Sequence, residues 1–210
     1  MARGPTSVAE TRAQSASRFG TSPGADLRAH MGNAMNDQLT LRLPREDEED
    51  EFLSAHRATS PEFPYFLHYY REGMPFRDYL QALSDQRRGV NVSPTFVPAT
   101  FLFAFVGPRI VGRISIRHSL NEALAKVGGH IGYAVVPEFR RRGYATEILR
   151  QGLQLLRADH GVQRVLVTCD DDNVGSISTI EKNGGQLENI LSGHEFPKAK
   201  RRYWITTEPR

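Results

Sequence analysis

Apolar and polar side chains alternate along Leu39-Thr40-Leu41-Arg42-Leu43, the period of a half-buried strand, and Pro44 ends it. Residues 46–56 begin acidic, which complements the positive end of a helix, and carry apolar Phe52, Leu53 and Ala55, so a short helix is expected. Residues 59–70 are aromatic and proline-punctuated. Residues 76–87 place Phe76, Tyr79, Leu80 and Leu83 on one helical stripe. Two β-rich runs, 100–106 and 109–116, flank Gly107-Pro108 and predict a hairpin. A polar connection over 117–129 leads to a strand at 130–136, stopped by Pro137. Residues 145–158 are the clearest helix, with Ala145, Ile148, Leu149, Leu153 and Leu156 at helical spacing and Gly161 closing it. A strand at 163–169 follows. A helix then runs from Asp172 or Asn173 to Lys182, ahead of Gly184-Gly185. Strands at 187–191 and 203–207 finish the chain. The order β-α-α-β-β-β-α-β-α-β-β, without internal repeats, argues for one α/β domain with a mixed sheet.

Composition changes this picture only at the start. Residues 1–36 are rich in Ala, Ser, Arg and Gly and lack apolar periodicity, so too little surface is available to offset ordering entropy. They read as a disordered N-terminal extension ahead of a domain spanning 37–210. An Arg- and Ser-rich transit peptide, or a start placed upstream of Met31 or Met35, are the alternatives. The chain as a whole is ordinary for a globular protein: 39% hydrophobic and 24% charged residues leave enough apolar mass for one core. A net charge of +3 is far from a dedicated nucleic-acid binder and suits an anionic small molecule. Cys169 is the single cysteine, so no internal disulfide and no cysteine metal site is expected, and the location expected is cytoplasmic. No run of 18 apolar residues predicts a membrane span.

The chemistry concentrates between the strand at 130–136 and the helix at 145–158. The first N–H groups of a helix lack intrahelical partners and carry partial positive charge, which favours phosphate. Gly143 has no Cβ to obstruct an approaching anion, and Arg140, Arg141 and Arg142 add permanent charge ahead of it. The turn lacks the pattern of a Walker loop and of a dinucleotide fingerprint. A solvated basic loop before an amphipathic helix is the plainer alternative.

The stretch Val135-Val136-Pro137-Glu138-Phe139-Arg140-Arg141-Arg142-Gly143-Tyr144-Ala145-Thr146 resembles the central motif of the GNAT superfamily of N-acetyltransferases, [Q/R]-x-x-G-x-[G/A] after a strand. Asp172-Asn173-Val174-Gly175-Ser176 and Glu181-Lys182-Asn183-Gly184-Gly185 resemble a second block of that superfamily. Arg117-His118, Asn121, Leu124, Gly129-His130-Ile131-Gly132-Tyr133, Thr168-Cys169-Asp170 and Arg202-Tyr203-Trp204-Ile205 are similar to a bacterial group of predicted acetyltransferases of unknown substrate.

The resemblance implies a GNAT fold: a mixed, mostly antiparallel sheet in which the strands at 130–136 and 163–169 form a splayed parallel pair, with flanking helices. It implies acetyl-CoA as cosubstrate and no metal. The pantetheine arm would run along Ala134, Val135 and Val136, with the Val135 N–H on the thioester carbonyl. The pyrophosphate would lie on Arg140, Arg141, Arg142, Gly143, Tyr144, Ala145 and Thr146, and Asn173 and Ser176 would contact the cosubstrate from the far side. An amine of a small molecule or peptide would attack directly. Since an alkylamine with pKa near 10.4 is neutral in about one molecule per 10³ at pH 7, a base is useful. His130 is the catalytic candidate, weighed against a histidine that bonds a strand end; His118 and Glu138 are weaker alternatives.

Where many relatives carry a tyrosine that protonates the leaving thiolate, this chain has Ile180, so Ser178, Tyr203 or no dedicated acid is left. Residues 63–70 are read either as an acceptor wall or as core. Arg117 is read either as a carboxylate-binding side chain or as a structural one, and Cys169 as core. The expected state is a monomer or homodimer without nucleic-acid or membrane partners. The competing functional readings are a non-catalytic acyl-CoA-binding regulatory domain, motivated by Ile180, and a nucleic-acid binder using the arginines and the basic loop at 198–202.

Overall fold

The alternating segments pair as antiparallel strands in a computed structural model that describes residues 38–64, 66–90 and 92–207. β1 (Thr40–Arg42), β2 (Ala99–Val106), β3 (Arg109–Arg117) and β4 (Ile131–Val135) form a four-stranded sheet in that order. β5 (Arg164–Asp170), β7 (Lys200–Thr206) and β6 (Gln186–Leu191) form a three-stranded sheet with β7 in the middle. The helices are α1 (Glu49–Thr59), α2 (Phe76–Arg88), α3 (Glu122–Lys126), α4 (Tyr144–His160) and α5 (Val174–Lys182). The short α3 lies within the polar connection at 117–129; Asn121 starts it by accepting from the Leu124 N–H at 2.9 Å. The expected extension, residues 1–36, lies outside the described residues.

Period two along β2 and β3 sorts the side chains onto two faces. Ala104, Ile114 and Ile116, joined by Ile131 of β4, pack against Ile148, Leu149, Leu153 and Leu156 of α4. Phe101, Phe103 and Phe105 point the other way, into a cluster with Phe52 of α1 and Tyr79 and Leu83 of α2. Within the aromatic segment Phe66 and Leu67 are buried in that second cluster and Phe63 and Tyr70 pack against it, while Tyr69 is exposed. Each ring so buried contributes about 1.5–3 kcal/mol. Among the described residues no helix is long and apolar enough to cross a membrane, and no cluster of metal-ligating side chains is found.

The expected parallel strand pair is not there. Both sheets are antiparallel throughout, and β4 and β5 belong to different sheets. The two strands touch at one end only. The His130 N–H donates to the Leu166 carbonyl at 2.7 Å, and the Leu166 N–H donates to His130 Nδ1 at 2.9 Å. One residue thus satisfies both main-chain polar groups of Leu166, one of them with its side chain, and no second main-chain bond extends the contact into a ladder. Gly129 makes the junction possible: a Cβ there would sit 2.3 Å from the Leu166 oxygen, and its φ is +62°. Beyond this point β5 pairs with β7, from Arg164↔Thr206 to Asp170↔Lys200.

Candidate active site

The phosphate-type turn forms where the sequence places it. Pro137–Phe139 is a single 3₁₀ turn, and α4 starts at Tyr144 behind Gly143. Arg141 has φ +64° and Gly143 φ +83°. Positive φ at alternate residues rolls successive N–H groups toward one side, the geometry of an anion nest. The Glu147 N–H bonds back to the Gly143 carbonyl at 3.2 Å, and the first-turn N–H groups ahead of it have no intrahelical acceptor. A Cβ on Gly143 would meet no atom within 4 Å, so the glycine serves the left-handed backbone and leaves the mouth of the turn open.

The three arginines do not act alike. Arg140 is committed to protein groups: Nη1 to Glu62 Oε2 at 2.5 Å and Nε to the Val135 carbonyl at 3.3 Å. The Arg142 guanidinium lies 5.6 Å from the Phe139 ring centre. Arg141 and Arg142 are both exposed. Tyr144, Ala145 and Thr146 are half-buried in the first turn of α4, and the Thr146 carbonyl accepts from Asn183 Nδ2 at 3.2 Å.

Register fixes which backbone groups of β4 face the gap toward β5. The Val136 N–H donates to Val111 and the Arg117 N–H to His130. Hydrogen-bonded pairs alternate along an antiparallel ladder, so Gly132 and Ala134 also turn their main-chain groups toward β3. Ile131, Tyr133 and Val135 turn theirs away, into the cleft that the separation of the two sheets leaves. The Val135 carbonyl is found there, bound by Arg140.

On the far wall, Asn173 caps α5 by accepting from the Ser176 N–H at 3.0 Å. The Tyr133 hydroxyl donates to the Ser176 carbonyl at 3.4 Å, joining β4 to α5 across the cleft. The turn, the outward edge of β4 beside it and the capped helix opposite thus lie next to one another.

Comparison with known proteins shows the family. The acetyltransferase (GNAT) domain family matches residues 38–186, more than half of the chain. The chain belongs to the GNAT family. The acetyltransferase is 25% identical over 160 residues to an N-alpha-acetyltransferase of Saccharolobus solfataricus, across 74% of this chain and 85% of that protein. It shares its fold with the microcin C7 self-immunity acetyltransferase MccE, solved with acetyl-CoA and AMP, at a TM-score of 0.60 and 19% identity over 81% and 93% of the two chains. Mycobacterium smegmatis RimJ, solved with CoA-disulfide, superposes at a TM-score of 0.58 and 18% identity over 80% and 81%. The expected activity, transfer of an acetyl group from acetyl-CoA to an amine, stands on that membership.

The groups expected to move protons in this GNAT enzyme are constrained. His130 is buried, and burial pushes its pKa below the ordinary imidazole value. Its Nδ1 lone pair is occupied by the Leu166 N–H, so the neutral ring carries its proton on Nε2 and has no second acceptor to offer. His118 is bound to Thr100 Oγ1 through Nε2 at 2.9 Å and stacks on His160. His160 ends the 17-residue α4, roughly 24 Å along the helix from the turn. Glu138 is paired with Arg109 at 2.8 Å.

Ile180 is fully buried in the core and Gly185 packs against it. Tyr203 is buried and tied to Glu181 and Arg201. Burial pushes the Cys169 thiol up to about 11, which favours its neutral form. Tyr133, quoted above only as part of a motif and with no role assigned, is a further polar group here: burial pushes its hydroxyl up to about 12, so it stays protonated. Its place opposite α5 follows from the β4 register and carries no local signature.

Proposed function

We propose that residues 37–210 form an N-acetyltransferase domain whose cosubstrate lies along the outward edge of β4. The observation that carries this reading is the continuity of the nest at 141–146 with the cleft-facing edge of Val135. The N–H groups at the mouth of α4 hold the pyrophosphate, with Arg141 and Arg142 adding screening charge. Ala134, Val135 and Val136 line the pantetheine arm. The Val135 N–H, with no partner on β3, donates to the thioester carbonyl and stabilises negative charge as it develops there. Asn173 and Ser176 close the far side.

Acetyl-CoA supplies an activated acyl carbon and a thiolate leaving group. A thiol with pKa near 8.5 needs a hydrogen-bond donor more than a strong acid. Tyr133 is that donor: its single hydroxyl proton, given to the Ser176 carbonyl at rest, turns to the thiolate as charge develops there. Attack comes from an amine that reaches the thioester over the Gly132–Ala134 face, and its proton leaves through water. His130 pins β4 to β5 at the closed end of the cleft, so its contribution to turnover is positional.

A regulatory, non-catalytic domain is the second reading, favoured by Ile180. The two separate in one experiment. Acetyl-CoA binding is measured by calorimetry, and CoA release is followed across a panel of amines. Tight binding with no release on any amine would reject the catalytic reading, and absence of binding would reject both.

A further inference from the structure

The side chain of Arg140 lies across the edge of β4 that the cosubstrate reading uses. The N–H and C=O of one strand residue point the same way, so an extended amide chain laid along an open edge uses both. At Val135, the outward-facing residue next to the turn, the carbonyl is already taken: Arg140 Nε donates to it at 3.3 Å. A different element holds the rest of the guanidinium. Arg140 Nη1 donates to Glu62 Oε2 at 2.5 Å, across 78 residues of sequence. Glu62 follows α1, and its N–H and that of Phe63 donate to the Thr59 carbonyl at 3.1 and 2.9 Å, so the carboxylate stands on a fixed turn.

The contact is built to open. Both side chains are exposed, 43% for Arg140 and 57% for Glu62, and an exposed pair holds only weakly. The main chain need not move. The Arg140 N–H donates to the Pro137 carbonyl at 3.2 Å, and φ −64° with ψ 159° is ordinary extended backbone. Rotation of one exposed side chain, a picosecond to nanosecond event, withdraws the guanidinium. A stronger acceptor then lies close at hand. Arg140 directly precedes Arg141, whose φ of +64° opens the nest, and a diphosphate seated there offers more charge than one carboxylate.

We propose that Arg140 is a latch: without acetyl-CoA, Glu62 holds it across the Val135 carbonyl, and cosubstrate binding exchanges Glu62 for the pyrophosphate. The exchange frees that carbonyl for an amide N–H of the pantetheine arm. The inference rests on the cosubstrate reading above. It gives Glu62 a role of definite sign: the carboxylate opposes cosubstrate binding, whereas a pair that merely braces the cleft would support it.

Calorimetry with acetyl-CoA reads that sign. Glu62→Gln removes the grip on Arg140 and tightens acetyl-CoA binding by about two- to fivefold, the range an exposed ion pair accounts for. Arg140→Ala loses the pyrophosphate contact and weakens binding by about three- to tenfold. In the Arg140→Ala background Glu62→Gln changes nothing, because no guanidinium is left to hold. S-acetylpantetheine, which lacks the pyrophosphate, reverses the order. Ligand-observed NMR titration shows Arg140→Ala binding it more tightly than wild type, since the Val135 carbonyl is free from the start. Both side chains are exposed, so the variants keep the wild-type melting temperature. Equal or weaker acetyl-CoA binding by Glu62→Gln overturns the proposal. So does an effect of Glu62→Gln that persists undiminished in the Arg140→Ala background, or S-acetylpantetheine binding that Arg140→Ala does not strengthen. Failure of the cosubstrate reading shows separately, as absence of acetyl-CoA binding by the wild-type protein.

Discussion

Replacing His130 separates a structural pin from a catalytic base. In His130→Ala the Leu166 N–H loses its acceptor inside the core, where Leu166 has no exposed surface. An unsatisfied buried donor costs about 1–3 kcal/mol, and the space left by the imidazole adds to it. A total of about 2–4 kcal/mol is a large part of the 5–15 kcal/mol typical of a domain. In His130→Asn the side-chain oxygen replaces Nδ1 as acceptor, so most of that loss is recovered. Urea unfolding followed by fluorescence measures the stability of each variant. For a slope of about 1–3 kcal/mol/M, the alanine midpoint falls by about 1 M or more while the asparagine midpoint stays close to wild type. Turnover, measured by CoA release at saturating acetyl-CoA, follows the same order: asparagine near wild type, alanine well below. A general base behaves differently, since losing one costs about 10²–10⁴-fold in rate whatever the stability. An asparagine variant that folds as stably as wild type but turns over a hundredfold slower, with its acid limb of the pH profile gone, would refute the pin.

Gly143→Glu places a side chain on a residue at φ +83°, costing about 1–2 kcal/mol of stability, and puts a negative charge at the nest; acetyl-CoA affinity by calorimetry falls at least about tenfold while far-ultraviolet circular dichroism is retained. Tyr133→Phe removes the hydroxyl beside Ser176, and kcat falls about 10–100-fold with acetyl-CoA affinity unchanged; an unaltered kcat would remove Tyr133 from the mechanism. Gly129→Ala forces a Cβ against the Leu166 carbonyl at a positive φ, and thermal unfolding shows a loss of several kcal/mol, larger than for Gly143→Ala, where the Cβ meets nothing. Burial holds His68 and His118 at about 4 and lowers His130 as well. The unfolded chain, titrating near 6.5, then binds more protons than the folded one between pH 6.5 and about 4, so their contribution is complete above pH 6.5 and is lost as pH falls to about 4. A melting temperature that stays flat from pH 7 to 4 would contradict this.

The sequence made the turn legible because its parts are neighbours. A strand, a proline, three arginines, a glycine and an amphipathic helix follow each other within 30 residues, and local rules for helix starts and positive φ suffice to read them. Elements were legible for the same reason: the stripe of α4 and the alternation of β2 and β3 are properties of a few consecutive residues. Partnership between strands was not. Nothing in the run Arg164–Asp170 says that it pairs with β7 and that β4 meets it through one imidazole. Alternation says which side chains share a face, but two segments with equal alternation are equally good partners in sequence.

The same distinction explains why His130 and Ile180 invited chemistry and Tyr133 did not. Expectations about proton transfer were tied to positions: a histidine at the start of the cleft strand, and an isoleucine where relatives carry a tyrosine. In three dimensions a hydroxyl at the mouth of α5 can arrive from α5 itself or from the strand facing it. Here Tyr133 reaches across from β4 to Ser176, while Ile180 sits in the core. Under the proposed mechanism, an opposing strand can supply a tyrosine hydroxyl that α5 itself lacks. The turn from Arg140 to Thr146 is assembled by sequence neighbours and so is visible in the chain. The contact of Tyr133 with Ser176 is assembled by strand register and becomes visible only when the sheet is built.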